Sequence, residues 1–185
     1  MALVDYERSR YNRIFLAAED KGVYLYDKEG SFVKGWNFGK TEGRVEDPLR
    51  HVRIGNTDYL VFADHFTCYI LNRRGETRVS VKKHFPVSKN ARFIIESNTT
   101  GIKPRLALTD SSGRVQFIYF DGSLESVEID QFSVKHFFEY SDLDSDGKKE
   151  FIFVDRGMLK VYKSDGSKKF TYDARAEISY APDRK

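Results

Sequence analysis

Hydrophobic positions along this chain recur with a period of two, in short runs bounded by turn residues. Val23-Tyr-Leu-Tyr, Cys68-Tyr-Ile-Leu, Val115-Gln-Phe-Ile-Tyr-Phe and Leu159-Lys-Val-Tyr are rich in β-branched and aromatic side chains, as strands are. They run into Asp-Lys-Glu-Gly, Asn-Arg-Arg-Gly, Asp-Gly and Ser-Asp-Gly, which supply the positive φ of a tight hairpin. No ten-residue stretch carries a convincing apolar stripe at i, i+3, i+4, i+7. The pattern predicts an all-β protein.

The runs belong to a repeat. Each of four segments holds an apolar run closed by an acid, Asp20, Asp64, Asp110 and Asp155, at spacings of 44, 46 and 45 residues. Ten to twelve residues later each has a turn glycine, Gly30, Gly75, Gly122 and Gly166, at spacings of 45, 47 and 44. Two independent markers drift together at a period near 45. Each repeat accommodates four strands. First strands are predicted at 2–6, 50–55, 91–97 and 135–140, and the runs on either side of the acid supply the second and third. Fourth strands are predicted at 31–36, 76–82, 124–129 and 168–172.

Four antiparallel strands per 45 residues, repeated, is the signature of propeller blades. The expected architecture is a β-propeller-type array of four four-stranded blades, at about 1–45, 46–89, 90–133 and 134–179 of a single domain. Pro48, Pro86 and Pro182 fall in connectors ahead of first strands, where no ladder N–H is needed. Arg78, Lys82, Lys83, Lys168 and Lys169 sit on the fourth strands, where charge would blunt an exposed edge. Glu177 to Pro182 reads as a connector into a fifth blade, so the chain is expected to be a fragment of a larger propeller. An open array would expose apolar blade faces, and self-association that closes the ring would relieve this.

Composition narrows the function more than the fold. The 11 Tyr, 15 Phe and 1 Trp make 15% of 185 residues, enough rings for a core despite a hydrophobic fraction of 40%. The longest apolar runs are four or five residues, so no membrane span is predicted in this segment, and no targeting signal is visible. A net charge of +3 does not argue for nucleic acid. The single cysteine, Cys68, excludes an internal disulfide and is expected to face the blade interior.

One segment carries chemistry. Asp142-Leu-Asp144-Ser-Asp146-Gly147-Lys148-Lys-Glu150 places carboxylates at positions 1, 3, 5 and 9 with glycine at 6. Hard cations such as Ca²⁺ want six to eight oxygens, and the Lys148 carbonyl could add one. Residues 136–155 are net −4, so the rest of the chain is +7. Position 12 is Phe153 and strands flank the loop, so it is not an EF-hand. In that setting the loop resembles the calcium loops of FG-GAP and VCBS repeats, as in integrin α-subunit propellers. The resemblance covers about fourteen residues closely and implies a structural Ca²⁺ held by Asp142, Asp144, Asp146, Lys148 and Glu150. In blade one, Asp5, Glu7, Ser9 and Arg13 stand at the corresponding positions. There arginine, with Arg8 and Arg10 close by, is expected to satisfy the carboxylates in place of a metal.

A broader likeness runs through Tyr24-Leu-Tyr-Asp-Lys-Glu-Gly, Val33-Lys-Gly-Trp36 and His136-Phe-Phe with its Asp-Leu-Asp. These resemble the C-terminal propeller repeats of large uncharacterised bacterial envelope-associated proteins, which implies a periplasmic or cell-surface parent. No catalytic signature surrounds His51, His65, His84 or His136, and His65-x-x-Cys68 has no second pair to complete a soft metal site. Trp36 alone does not suit a quinone-dehydrogenase propeller, whose blades carry recurrent tryptophans. The expectation is a non-catalytic interaction or scaffold module that binds a protein or glycan through its loop faces. The alternative is part of a carbohydrate hydrolase or lyase, with its catalytic residues in missing blades.

Overall fold

The computed structural model describes residues 1–174 except 8, 46, 48, 82–84, 91, 98–100 and 102. Those residues form strands and turns and no helix. The strands are β1 (Ala2–Val4), β2 (Arg13–Ala17), β3 (Val23–Tyr26), β4 (Arg50–Ile54), β5 (Thr57–Ala63), β6 (Cys68–Leu71), β7 (Thr77–Val79) and β8 (Ile94–Glu96). They continue as β9 (Arg105–Thr109), β10 (Val115–Tyr119), β11 (Leu124–Val127), β12 (Phe137–Ser141), β13 (Glu150–Asp155), β14 (Met158–Tyr162) and β15 (Lys168–Asp173). Neighbouring strands in each sheet are consecutive in sequence: β1–β3, β4–β7, β8–β11 and β12–β15. One antiparallel meander per repeat makes an all-β array of propeller-type blades.

The first sheet departs from the predicted four strands. Residues 31–36 contribute a single bridge, Phe32 to Tyr26, and no strand. The reason lies at the β3 edge. The Trp36 indole N–H donates to the Val23 carbonyl at 2.7 Å, and the Val23 N–H donates to the Gly39 carbonyl at 3.3 Å. Edge groups that a fourth strand would pair are thus taken by a side chain and by the later segment that bridges Gly22 at Lys40. The connectors at Pro48 and 177–182, Lys82, Lys83 and His84 lie outside the described residues.

The repeat markers have structural jobs. All four turn glycines are left-handed, with φ of 82° at Gly30, 80° at Gly75, 87° at Gly122 and 82° at Gly166. In each, the glycine N–H bonds the carbonyl three residues back, and that same residue's N–H bonds the residue after the glycine. This one-residue excursion at positive φ joins the third strand to the next segment with the correct twist. Asp20, Asp64 and Asp110 hold the turn between second and third strands, whereas Asp155 ties the connector that precedes β12. Asp64 accepts from the Phe66 and Thr67 amides at 2.8 and 2.9 Å, from Tyr69 Oη at 2.8 Å and from the Gly43 amide at 2.7 Å. Asp110 accepts from the Ser112 and Arg114 amides, and Asp155 from the Ser133 amide at 2.9 Å.

The described chain divides into two compact units: residues 1–87, 95–106 and 118–125, and residues 88–94, 107–117 and from 126 onward. In the first, Val4, Phe15, Val23 and Leu25 of the first sheet bury against Leu60, Phe62 and Leu71 of the second. Cys68 lies in that unit and is 3% exposed, and burial pushes its thiol up, so it serves as a small apolar residue. In the second unit, Phe153 stacks on Phe132 at 3.9 Å between ring centroids, and Phe117 packs on Tyr140 at 5.6 Å.

His136 is fully buried beside these rings. Its Nδ1–H donates to the Ser133 carbonyl at 2.6 Å, and its Nε2 accepts from the Thr109 hydroxyl at 2.8 Å. Burial lowers its pKa by disfavouring the imidazolium. The unfolded chain therefore binds the extra proton first, and stability falls as pH drops below the unfolded value of about 6.5. The loss is expected to reach about 1.4 kcal/mol per unit of lowering and to level off below the folded value. Chemical denaturation from pH 7 to 5 should show this slope in the native chain. His136→Gln should flatten it, and an unchanged slope would reject the assignment.

Candidate metal centre

The loop between β12 and β13 begins where Tyr140 pairs with Phe151 and Ser141 with Glu150. Two left-handed residues, Ser145 at φ 62° and Gly147 at φ 83°, wrap the intervening chain. The curl folds alternate side chains inward. One carboxylate oxygen from each of Asp142, Asp144 and Asp146 lies within 4.8 Å of the others. Backbone amides fix the orientation: Gly147 N–H donates to Asp142 Oδ2 at 3.0 Å, and Lys148 N–H to Asp146 Oδ1 at 2.7 Å. Asp142 Oδ1 is buried and has no hydrogen-bond partner among the described residues.

Glu150, the fourth predicted carboxylate, is 3% exposed and joins the cluster indirectly. Its Oε2 accepts from the Leu143 amide at 2.9 Å, and its Oε1 from Lys169 Nζ at 2.8 Å. The same ammonium lies 2.5 Å from Asp144 Oδ2. Lys169 thus bridges the loop and the end of the second strand. The Leu143 amide, then the ammonium, hold Glu150 below its ordinary pKa, and the ammonium does the same for Asp144. Both carboxylates raise Lys169 in return.

This placement corrects the reading of Lys169 as an edge guard. The β14–β15 register shifts between Val161 and Tyr162, so that Phe170 opposes Val161 and Lys168 opposes Tyr162. Lys169 is the extra residue of a β-bulge, which re-aims its side chain toward the loop. Lys168, one residue earlier, stays exposed. The second sheet has the same irregularity, with Val79 opposite Ile70 and Thr77 opposite Leu71. Its bulged residue is Arg78, whose guanidinium lies over the Tyr59 ring at 5.6 Å. Lys169 and Arg78 each stand three residues after the turn glycine, a shared spacing that could have marked the pair in the sequence.

The corresponding loop of the first sheet is closed differently. Asp5 accepts from the backbone amides of Glu7 at 3.1 Å, Ser9 at 3.1 Å and Arg10 at 2.6 Å. These amides hold its carboxyl low against the penalty of desolvation. Glu7 pairs with Arg73, at 3.6 Å. Backbone amides and Arg73, not Arg13, are what answer the two acids here; Arg8 lies outside the described residues.

No family model matches the chain, and no curated protein matches it. A crystal structure at 1.35 Å of a protein of unknown function from Bacteroides caccae is similar to 89% of this chain, with 15% sequence identity and a TM-score of 0.49. The chain spans 57% of that protein's length.

The residues of the loop fit a hard divalent cation. The donors are carboxylate oxygens, one of them buried and unpaired, and a cationic ammonium already lies between two of them. Elsewhere, Arg73, Arg74, Arg78, Asn56, Asn72 and Asp58 line an open hollow of about 320 Å³ at the turn end of the second sheet. Asp58 is buried there between Arg73 at 2.6 Å and His51 at 2.7 Å.

Proposed function

We propose that this chain is a non-catalytic propeller-type module that carries one structural Ca²⁺ in the loop 142–150, as FG-GAP and VCBS repeats do. The observation that carries the reading is the convergence of Asp142, Asp144 and Asp146 within 4.8 Å, with Glu150 beside them. Ca²⁺ would draw on those four side chains and the Lys148 carbonyl. Binding only the folded loop, it would stabilise the sheet by mass action. The need to displace the Lys169 ammonium lowers calcium affinity, which suits the calcium of a periplasm or cell exterior, where modules work at about 10⁻⁴–10⁻³ M. Partner binding is assigned to the loop ends. The guanidinium and amide groups of Arg73, Arg74, Asn56 and Asn72 line the hollow there and would suit a carboxylate-bearing protein segment or glycan.

Calcium titration by calorimetry tests the metal. One site should appear, with a rise in melting temperature of roughly 5 °C at saturating calcium. A chelator should reverse the rise, and Asp142→Asn should abolish it. No heat and no thermal shift at about 10 mM calcium, well above the affinity expected of an extracellular module, would reduce the loop to an acidic turn.

A further inference from the structure

The second and fourth sheets carry a cation at the same bulge position, in different surroundings. In the fourth sheet Lys169 reaches Asp144 and Glu150. Those acids belong to the long loop between first and second strands and to the residue that follows it. In the second sheet the same connection is a two-residue turn, Gly55-Asn56, closed where Ile54 pairs with Thr57. That turn carries no acid. Asp58 stands where Glu150 stands, and it is turned to Arg73 at 2.6 Å and His51 at 2.7 Å. Arg78 is exposed, lies over the Tyr59 ring and pairs with no carboxylate among the described residues.

Arg74 departs from the repeat in the same place. The residue before the turn glycine is Glu29, Asp121 and Asp165 in the other three repeats, and Arg74 here. The turn does not need an arginine. Asn72 holds its shape, with Oδ1 accepting from the Arg74 and Glu76 amides at 2.8 and 3.1 Å, as Asp27 holds the first turn around Glu29. Arg74 is exposed and forms no ion pair among the described residues. Arg74 and Arg78 both line the hollow of about 320 Å³, together with Asn56 of the short turn. Every described residue that lines it is polar or charged, and three arginines against two acids leave it net positive. Asp58 is answered by Arg73, and Glu76 is held below its ordinary pKa first by Asn72 and only last by Arg74.

We propose that this hollow takes a carboxylate from outside the chain, that of a uronic-acid residue in an acidic glycan, held by Arg74 and Arg78. The ligand's carboxylate stands in for the acids that Lys169 meets in the fourth sheet. Guanidinium groups suit a carboxylate, and the Asn56 amide suits the hydroxyls beside it. Two observations favour a glycan over an acidic peptide. Protein segments anchor through aromatic or aliphatic side chains, and the polar walls offer those no pocket. Peptides also add as strands to a regular edge, and the bulge at Arg78 breaks the β7 edge. The inference deepens the partner reading of the loop ends, on which it rests, and is independent of calcium.

Calorimetry with the trimer of galacturonate tests this on the full chain, in chelator so that neither the loop 142–150 nor the sugar holds calcium. One site with a Kd of about 0.1–1 mM is expected. The methyl-esterified trimer, which lacks the charge, should not bind. Arg74→Gln and Arg78→Gln should each weaken binding about tenfold. Both side chains are exposed, so melting should match the native chain. Should Arg78→Gln melt lower through loss of the Tyr59 contact, Arg74→Gln decides alone. Glu76→Gln keeps the bond from Asn72 and should tighten binding severalfold, because it removes a like charge. Equal binding of the methyl-esterified trimer, or unchanged affinity in the arginine variants, overturns the proposal. A hexa-aspartate peptide that binds through the same arginines while the trimer gives no heat overturns the glycan and keeps the partner reading. Silence from both at about 10 mM overturns the two together.

Discussion

Phe153→Ala is expected to cost about 3–5 kcal/mol, the largest loss of any single truncation in the second unit. The ring is fully buried. It stacks on Phe132 at 3.9 Å with planes 10° apart, and packs on Phe138 at 5.1 Å, His136 at 5.8 Å and Tyr162 at 6.2 Å. These partners belong to the rigid β12–β14 meander and to a connector tied by Ser133 to Asp155, so they cannot close over the void. A melting-temperature drop of roughly 10 °C follows for a chain of this size. Ile152→Ala, one residue earlier and on the half-buried face, should cost about 1 kcal/mol. Equal losses at the two positions would contradict the face assignment.

The sequence made the repeat visible because its markers do mechanical work. A left-handed turn position admits glycine almost alone, and a carboxylate that collects several amides cannot drift by a residue without losing them. Gly30, Gly75, Gly122 and Gly166, and the acids Asp64 and Asp110, were legible for that reason. Edges were less legible. Whether residues 31–36 form a strand turns on where the Trp36 indole goes, and strand pattern does not encode that. The three aspartates of the loop 142–150 were legible because a curled loop with residues at alternate positions converges them on its inside. Lys169 was not, since alternation assumes an unbroken register and the bulge breaks it one residue away.

That bulge makes Lys169→Met the second test with a large expected effect, and the two readouts should move in opposite directions. Removing the ammonium takes away the cation that pairs Asp144 with Glu150, so the metal-free chain should melt lower. The same change removes the competitor that Ca²⁺ must displace, and the apparent affinity should rise on the order of tenfold. Acid stability supplies a third readout. Asp144 and Glu150 are held below their ordinary pKa values, so their contribution is present above the unfolded carboxylate range and is lost as pH falls through the folded values. Without Lys169 those folded values rise, and acid unfolding should begin at a higher pH. Lys168→Met, on the exposed neighbour, should change none of the three. Weaker calcium binding by Lys169→Met would show instead that the lysine helps to build the loop, and the ammonium would then be a brace for the metal rather than its rival.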